Sequence, residues 1–349
     1  LHLSSAASDV YKRQIKYSEI TAEFGAPNTG GIGQYRLDGG EDVGSLTNLP
    51  LDSGVPTSGQ IKFSDFYSKK LNHIVDLHSI GNNTSRQIAK DRWNNGNVHI
   101  VGSSKTGKGQ PPNTTDDRVI INVNNTIRSV KGTQTHCALR TGNWDTNTTL
   151  EIEIGTSGKL FGSGGNGGTG GNANETAGTD GQTGSSALGI EYPCTINNLG
   201  VIQSGYGGGG GGGGNTRTTG GGKKSGATTN GSSGGGGGGG AGLPAGDAGG
   251  VQTPLVQGGG SAGSAGQAGS LSGQATGGGG GTEAGDGGDS SPVNNTATKA
   301  EDGTQPSGAA SGGTGGDNGY AIITNQGSAP SLTGGGSLTG RTITSTNPT

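Results

Sequence analysis

Residues 102–108 read Gly-Ser-Ser-Lys-Thr-Gly-Lys and follow a strand-like stretch at 98–101, the spacing of a phosphate-binding loop. Such a loop cradles phosphates with backbone N–H groups, passes them to a helix N-terminus and holds magnesium with a Ser or Thr after the lysine. Here Gly109 stands in the magnesium-holding place, and Gln110, Pro111 and Pro112 prevent a helix from starting. A basic surface turn is the reading that remains. Residues 312–319 approach a calcium-binding nonapeptide repeat, but once only, and with Gly319 where an apolar residue belongs. Asp76 and His78 share a strand face without a nucleophile tied to them, as in a cross-strand hydrogen bond. Glu151 and Glu153 alternate with Leu150, Ile152 and Ile154, so they solvate the outer face of a strand. His136 beside Cys137 lacks the further ligands a metal needs. Asn-x-Thr/Ser triplets, as at Asn113 and Asn230, are expected by chance in so Asn/Thr-rich a chain. No convergent set of acid, base and nucleophile emerges, and the expectation is a non-enzyme without cofactor or metal.

The elements around these residues are dominated by glycine, 82 of 349 residues. Residues 207–214, 234–240 and 277–281 are unbroken glycine runs. Between 207 and 319 there is no aromatic residue, and the sizeable aliphatics are Leu243, Val251, Leu255, Val256, Leu271 and Val293. So few cannot form an oily core. Two states fit this composition. One is a flexible coil. The other is a bundle of polyglycine type II helices, extended chains with three residues per turn whose backbone groups all point sideways to neighbours. Ordering such a chain costs about 1–2 kcal/mol per residue against about 0.5–1.5 kcal/mol for each net hydrogen bond, so a lone rod cannot stand. Long pure runs suit a buried centre. Runs interrupted at two positions in three, such as 258–269, suit the outside.

Net charge is −3, which gives no basic field for nucleic acid, and no apolar run approaches a membrane span. Cys137 and Cys194 read as unpaired small hydrophobes, with a disulfide as the alternative. The chain has no methionine, and its opening, LHLSSAASDVYKRQ, resembles translated adapter read-through, so 1–14 is set aside as non-native. IKYSEI at 15–20 and IKFSDF at 61–66 repeat Ile, Lys, aromatic, Ser, acid, apolar. The first half of each alternates like a strand, and Ser18 and Ser64 suit helix N-caps. With the loop between them they form a small α+β module at 15–70. Residues 55–67 resemble a segment common in structural proteins of marine tailed phages. Residues 71–160 read as a β-rich domain of sandwich or β-helix-like type, with strands near 71–80, 97–101, 118–130 and 150–154. A jump in glycine content places a boundary near 155–160, with 161–349 as the glycine-rich domain carrying β segments at 187–204 and 320–345.

Residues 135–171 pass from a β segment straight into glycine-rich chain, and 187–214, ALGIEYPCTINNLGVIQSGYGGGGGGGG, repeat that plan. This alternation resembles the glycine-rich tip adhesins of T-even-type phage long tail fibres and their marine phage relatives. The resemblance implies a mainly β and irregular fold ending in a polyglycine II bundle. It implies a fibre shaft protein as one partner and a bacterial outer-membrane protein or surface glycan as the other, with no nucleic acid and no membrane insertion. It implies a place at the distal tip of the virion's fibre, on a chain made in the host cytoplasm. Recognition is then expected from loops between rods. The candidates are Asn174, Glu175, Asn215, Thr216, Arg217, Thr218, Thr219, Lys223, Lys224, Thr228, Asn230, Leu271 and Gln274. If rods alternate in direction, 172–184, 215–233 and 271–276 share the far end, and Arg217, Lys223 and Lys224 make 215–233 the favoured loop. An ice-binding bundle and an inert glycine-rich linker are the other readings.

Overall fold

A computed structural model describes residues 15–24, 59–67, 72–77, 84–94, 98–99, 118–146, 148–173, 176–219, 228–252, 264–270, 275–277, 284–290, 299–306 and 309–349. Most of its regular structure is strand, as the sequence led us to expect.

Short strands succeed one another in a fixed rotation through three sheets. The first coil is β1 (Asn72–Asp76), β2 (Thr84–Ser85) and β3 (Gln87–Ile88). Helix α2 (Ala89–Asn94) and β4 (Val98–His99) follow, helix α1 being Tyr17–Phe24. The second coil is β5 (Arg118–Val123), β6 (Thr126–Arg128) and β7 (Cys137–Arg140), and the third is β8 (Thr149–Ile154), β9 (Lys159–Phe161) and β10 (Ser186–Ile190). The fourth is β11 (Cys194–Asn198) and β12 (Val201–Gln203), then, after a hairpin of β13 (Asn215–Thr219) and β14 (Thr228–Ser232), β15 (Tyr320–Thr324). The fifth is β16 (Ser331–Thr333), β17 (Ser337–Thr339) and β18 (Arg341–Ile343). The sheets run β16-β11-β8-β5-β1-β4, β17-β12-β9-β6-β2 and β18-β15-β10-β7-β3.

Among the described residues of these three sheets every pairing between coils is parallel, and β4 alone lies antiparallel, on β1. This is the stacked-coil arrangement. A sandwich of hairpins would pair its strands antiparallel. The register puts like on like: Val75, Ile121, Ile152 and Ile196 form one column, Ile127, Leu160, Ile202 and Leu338 a second, and Leu139, Leu188 and Ile322 a third. These columns meet inside as one apolar core. Strands from both sides of residue 160 share each sheet, so the jump in glycine content marks a change of composition within a continuous coil.

The corner between the second and third sheets is where the glycine enters. In the fifth coil Gly340 alone spans it; in the second it takes 129–136, in the third 162–185 and in the fourth 204–319. Among the described residues, both long insertions are built of extended segments, the second with the β13–β14 hairpin between two of them. Chain runs outward at 162–171 and back at 176–185, then outward again at 205–214 and back at 234–242. It continues outward at 244–250, back at 264–270, outward at 275–277, back at 284–290, outward at 299–306 and back at 309–319 into β15.

Their mutual bonding repeats every third residue. Gly205, Gly208, Gly211 and Gly214 donate to Ser185, Gln182, Thr179 and Thr176 on one neighbour, and Tyr206, Gly209 and Gly212 to Ala241, Gly238 and Gly235 on a second. Gly210 and Gly213 donate to Glu301 and Thr304 on a third. Carbonyls of the same segment accept from 162–171, 284–290 and 309–319. Residues 205–214 are thus enclosed on every side, as are 234–242, and both are buried. The remaining segments close a ring around this pair. A Cβ at Gly209 would lie 1.8 Å from the Gly288 carbonyl oxygen, and at Gly212 1.9 Å from that of Gly285. No side chain fits. On the ring one position in three must stay bare: Gly246 and Gly249 face inward, while Asp247 and Ala248 between them are exposed.

The two hexapeptides open their helices alike, the first an α-helix at Tyr17–Phe24 and the second a 3-10 turn at Phe63–Phe66. The Lys16 N–H donates to Glu19 Oε2 and the Lys62 N–H to Asp65 Oδ2, both at 2.7 Å. Lysine therefore holds the N-cap place and the acid closes the turn, in place of the caps expected at Ser18 and Ser64. The Ile-Lys stretch expected as a strand at 15–16 is irregular. Residues 1–14 and 102–108 lie outside the described residues.

Candidate functional site

Several titratable side chains outside the glycine region are bound into the frame. Arg118 pairs with Glu151 on the neighbouring strand, and Asn197 donates to Glu153 at 2.7 Å. Burial is the main cause that raises the Glu153 pKa, opposed by that hydrogen bond. Arg140 is paired with Glu191, which also accepts from the Gly142 N–H at 2.9 Å and locks the corner between the third and first sheets. Cys137 and Cys194 are both free thiols, pushed up to about 12 by burial. A cavity of about 160 Å³ beside Cys194 is lined by Ile190, Pro193, Thr324, Gln326 and Pro330, with no charged group among its walls. Asp76 sits in β1, while His78 lies outside the described residues. None of these arrangements assembles the parts of a reaction.

The glycine region offers something different: a rigid platform whose far end carries a built structure. At its root Tyr206 is fully buried, and Lys131, on the corner loop of the second coil, reaches Asn166 at 2.7 Å and Asp247 at 2.8 Å. Gln134 donates to the Asn318 carbonyl at 2.7 Å. The coil thus buttresses the base of the segments. Along the sides, outward-facing groups reach the neighbouring backbone. Asp180 Oδ1 accepts from the Thr314 N–H at 2.7 Å, and Asp302 Oδ1 from the Gly315 N–H at 2.8 Å. The hydrogen bond from Lys299, then that from Gly315, holds the Asp302 carboxyl below the usual carboxylate range. Residues 312–319, the near match to a calcium repeat, are one of these inward-running segments.

At the far end the central segment 205–214 passes directly into β13, and β14 passes back into 234–242. The favoured loop is a β-hairpin. Its antiparallel register pairs Asn215 with Ser232, Thr216 with Gly231, Arg217 with Asn230, Thr218 with Thr229 and Thr219 with Thr228. Asn215 and Ser232 at its foot are buried. The foot is held from two sides. The Thr216 hydroxyl donates to the Ala173 carbonyl, the Asn172 N–H donates to Thr176 Oγ1 at 2.6 Å, and the Gly214 N–H donates to the Thr176 carbonyl at 3.0 Å. Opposite, Asn215 bridges Ala309, and the Ala310 N–H donates to the Gly214 carbonyl at 2.8 Å. Gln305 folds onto the Ala309 carbonyl at 3.1 Å. Val251 is exposed at the same end, just beyond Gly250, which accepts from Gly170 at 3.0 Å.

Of the candidate residues, Asn215, Thr216, Arg217, Thr218, Thr219, Thr228 and Asn230 come together in the hairpin. Asn174, Glu175, Lys223, Lys224, Leu271 and Gln274 lie outside the described residues. The described flanks of 271–274 are at the opposite end: Ser270 accepts from Gly242 and Ala275 from Ser290, both near the coil. The expectation that put 271–276 beside 215–233 missed the outward-and-back excursion at 244–270. Residues 176–184, expected as loop, are a returning segment, and 299–306 is an outward-running one. The sign of that segment was slight: Ala300 and Gly303, three apart, turn inward between charged residues. Residues 304–306 and 309–310 are therefore part of the hairpin's support.

Among the described residues, no helix is long and apolar enough to cross a membrane. Comparison with curated proteins and with solved structures returned no match. The family model described as phage tail fibre adhesin Gp38 matches residues 87–347, which takes in the second to fifth coils, all the glycine segments and the hairpin. Membership implies a place on the virion tail, assembly with the fibre and binding to a host surface receptor. The chain belongs to the phage tail fibre adhesin Gp38 family.

Proposed function

We propose that this chain is the receptor-binding tip of a tail fibre, that its extended segments are polyglycine type II helices, and that it engages a bacterial outer-membrane protein or surface glycan with the end carrying the β13–β14 hairpin. The division of labour follows: the module at 15–70 and the coils face the fibre, and the rods hold the hairpin away from it. The observation that carries this reading is the continuity of two buried segments built almost wholly of glycine with the two strands of one hairpin. An isolated two-stranded hairpin is marginal in water. Here both of its ends are fixed in the hydrogen-bonded bundle and its foot is clamped by Ala173, Thr176, Ala309 and Ala310. A mobile recognition loop is thereby turned into a preorganised one, which lowers the ordering cost of binding. Arg217 in β13, with Lys223 and Lys224 in the same excursion, favours an acidic glycan or an acidic protein loop as the receptor group.

Replacement of 215–233 by a tight glycine turn tests this. Adsorption to host cells is expected to fall to background, while the thermal unfolding midpoint stays within a few degrees, because the rods keep their mutual bonds. Unchanged adsorption removes the hairpin from the receptor site.

A further inference from the structure

Charge is divided sharply along the glycine region. The excursion 215–233 holds three bases, Arg217, Lys223 and Lys224, and no acid. The other inserted segments, 162–185, 204–214 and 234–319, hold nine acids and one base, Lys299. That base is committed to Asp302 at 2.8 Å, and Lys131 of the coil to Asp247 at 2.8 Å. Asp180, Asp317, Glu301 and Asp286 stand exposed on four adjoining segments of the ring, 176–185, 309–319, 299–306 and 284–290.

The division also holds along the axis. Thr304 accepts from Gly213 and donates to the Asp286 carbonyl, which sets Asp286 level with Gly213. Glu301 accepts from Gly210, and Gly316, next to Asp317, donates to Gly208. Arg217 lies in β13, beyond Gly213 by four residues, and so stands about 13 Å farther out at the rise of a strand. That exceeds the screening length of about 8 Å at physiological ionic strength, so the acids of the ring do not cancel the charge of the end.

An end of one sign on flanks of the other acts as a unit only toward an extended layer of charge. A single acidic loop on a protein would feel the end and miss the flanks. Toward a polyanionic layer the flanks are repelled and the end is drawn in, which steers encounter end-on. Side-on adsorption, which would turn the hairpin away from the cell, is opposed by like charge. We infer that the acidic flanks are an orienting element, and that the partner met by the 215–233 end is a polyanionic surface glycan bearing carboxylate or phosphate groups. This rests on the adhesin reading above and names the chemistry of the layer that the adhesin meets.

The test sets the full chain against immobilised polygalacturonate, with dextran as the neutral counterpart. Capture by polygalacturonate alone is expected, with an association rate that falls about tenfold or more as salt is raised from low to physiological strength. Equal capture by dextran, or a rate indifferent to salt, overturns the inference. Arg217→Gln, Lys223→Gln and Lys224→Gln together are expected to abolish capture and leave the thermal midpoint unchanged; retained capture overturns it. In that same background Glu301→Lys and Asp317→Lys, both at exposed positions, are expected to restore capture through the flanks. Failure to restore it overturns the orienting role. Host cells stripped of surface protein by protease separate this inference from the reading beneath it. Salt-sensitive adsorption that survives stripping supports the glycan. Adsorption lost on stripping overturns the glycan and leaves the adhesin reading standing. Capture by polygalacturonate without adsorption to host cells counts against the adhesin reading, not against the polyanion contact.

Discussion

At the scale of single residues, the glycine region works by omission. Within 205–214 every N–H and nearly every carbonyl is committed to a neighbouring segment, and the segments approach so closely that a methyl group has nowhere to go. Gly212→Ala, or Gly209→Ala, must push 284–290 off the central segment and break its two contacts through Gly285 and Gly288, so a loss of at least about 1–3 kcal/mol is expected. Gly250→Ala is the control. Its position is exposed, no atom lies within 4 Å of the place a methyl would take, and reduced freedom of the unfolded chain should make the change neutral or slightly stabilising. Thermal unfolding of the three variants checks this, and equal effects at 212 and 250 would refute close backbone packing. A second residue-scale prediction concerns pH. Burial raises the Glu153 carboxyl above its ordinary 4.5, so the folded chain binds that proton more tightly than the unfolded chain. The ionised group thus weakens the fold above its folded pKa, and the penalty fades as pH falls through that value towards 4.5. Glu153→Gln keeps an oxygen for Asn197 and is expected to unfold at a higher temperature at pH 7 but at the same temperature at pH 4. A lower midpoint at pH 7 would mean that the hydrogen bond to the carboxylate outweighs its burial.

At the scale of elements, strands of two to six residues hold because they pair in register with the coils beside them. Ile152 lies in mid-column between Ile121 and Ile196 and is fully buried. Ile152→Ala is expected to cost about 2–5 kcal/mol, read by denaturant unfolding, with little relief from repacking since the backbone on both sides is fixed by sheet bonds. Leu332→Ala at the open end of the same column should cost far less. The alternation Leu150, Ile152, Ile154 made β8 visible in the sequence, and the runs at 207–214 and 234–240 announced a backbone-packed centre. Coil stacking was not visible, because the partners of β8 lie about thirty residues before it and about forty-five after it, and nothing local links them. The ring segments were harder still. A segment that needs glycine on one face in three tolerates acids on the others, so 299–306, with Glu301, Asp302 and Gln305, looks like loop. At the hairpin, Thr-rich chain and one Asn-Gly pair were on view, but its clamping by Thr176 and Ala309, forty to ninety residues away, depends on the order in which segments fill the ring.

At the scale of the whole molecule, the coil is the foundation and the bundle is an elaboration of one of its corners. The same corner is crossed by Gly340 alone in the fifth coil and by 204–319 in the fourth, and strand pairing on either side is the same parallel kind. The bundle leans on the coil through Lys131, Gln134 and the base of each inserted segment, whereas the three apolar columns of the coil are filled by strand residues, none of them from the inserted segments. Dependence should therefore run one way. A chain in which 162–185 and 204–319 are each replaced by a single glycine, as at position 340, is expected to fold. Circular dichroism should show β structure with a cooperative thermal transition, and Trp144 should stay shielded, because it lies in the coil with its indole N–H on the Thr141 carbonyl at 3.0 Å. The reciprocal chain, 162–185 joined to 204–319 without the coils, is expected to remain unfolded, because its segments would enter and leave without β9, β10, β12 and β15 to set their spacing. If the excised bundle showed slow amide exchange by itself, or the glycine-closed coil failed to fold, the two parts would be mutually dependent, and the corner could not serve as a site where rods are added without rebuilding the foundation.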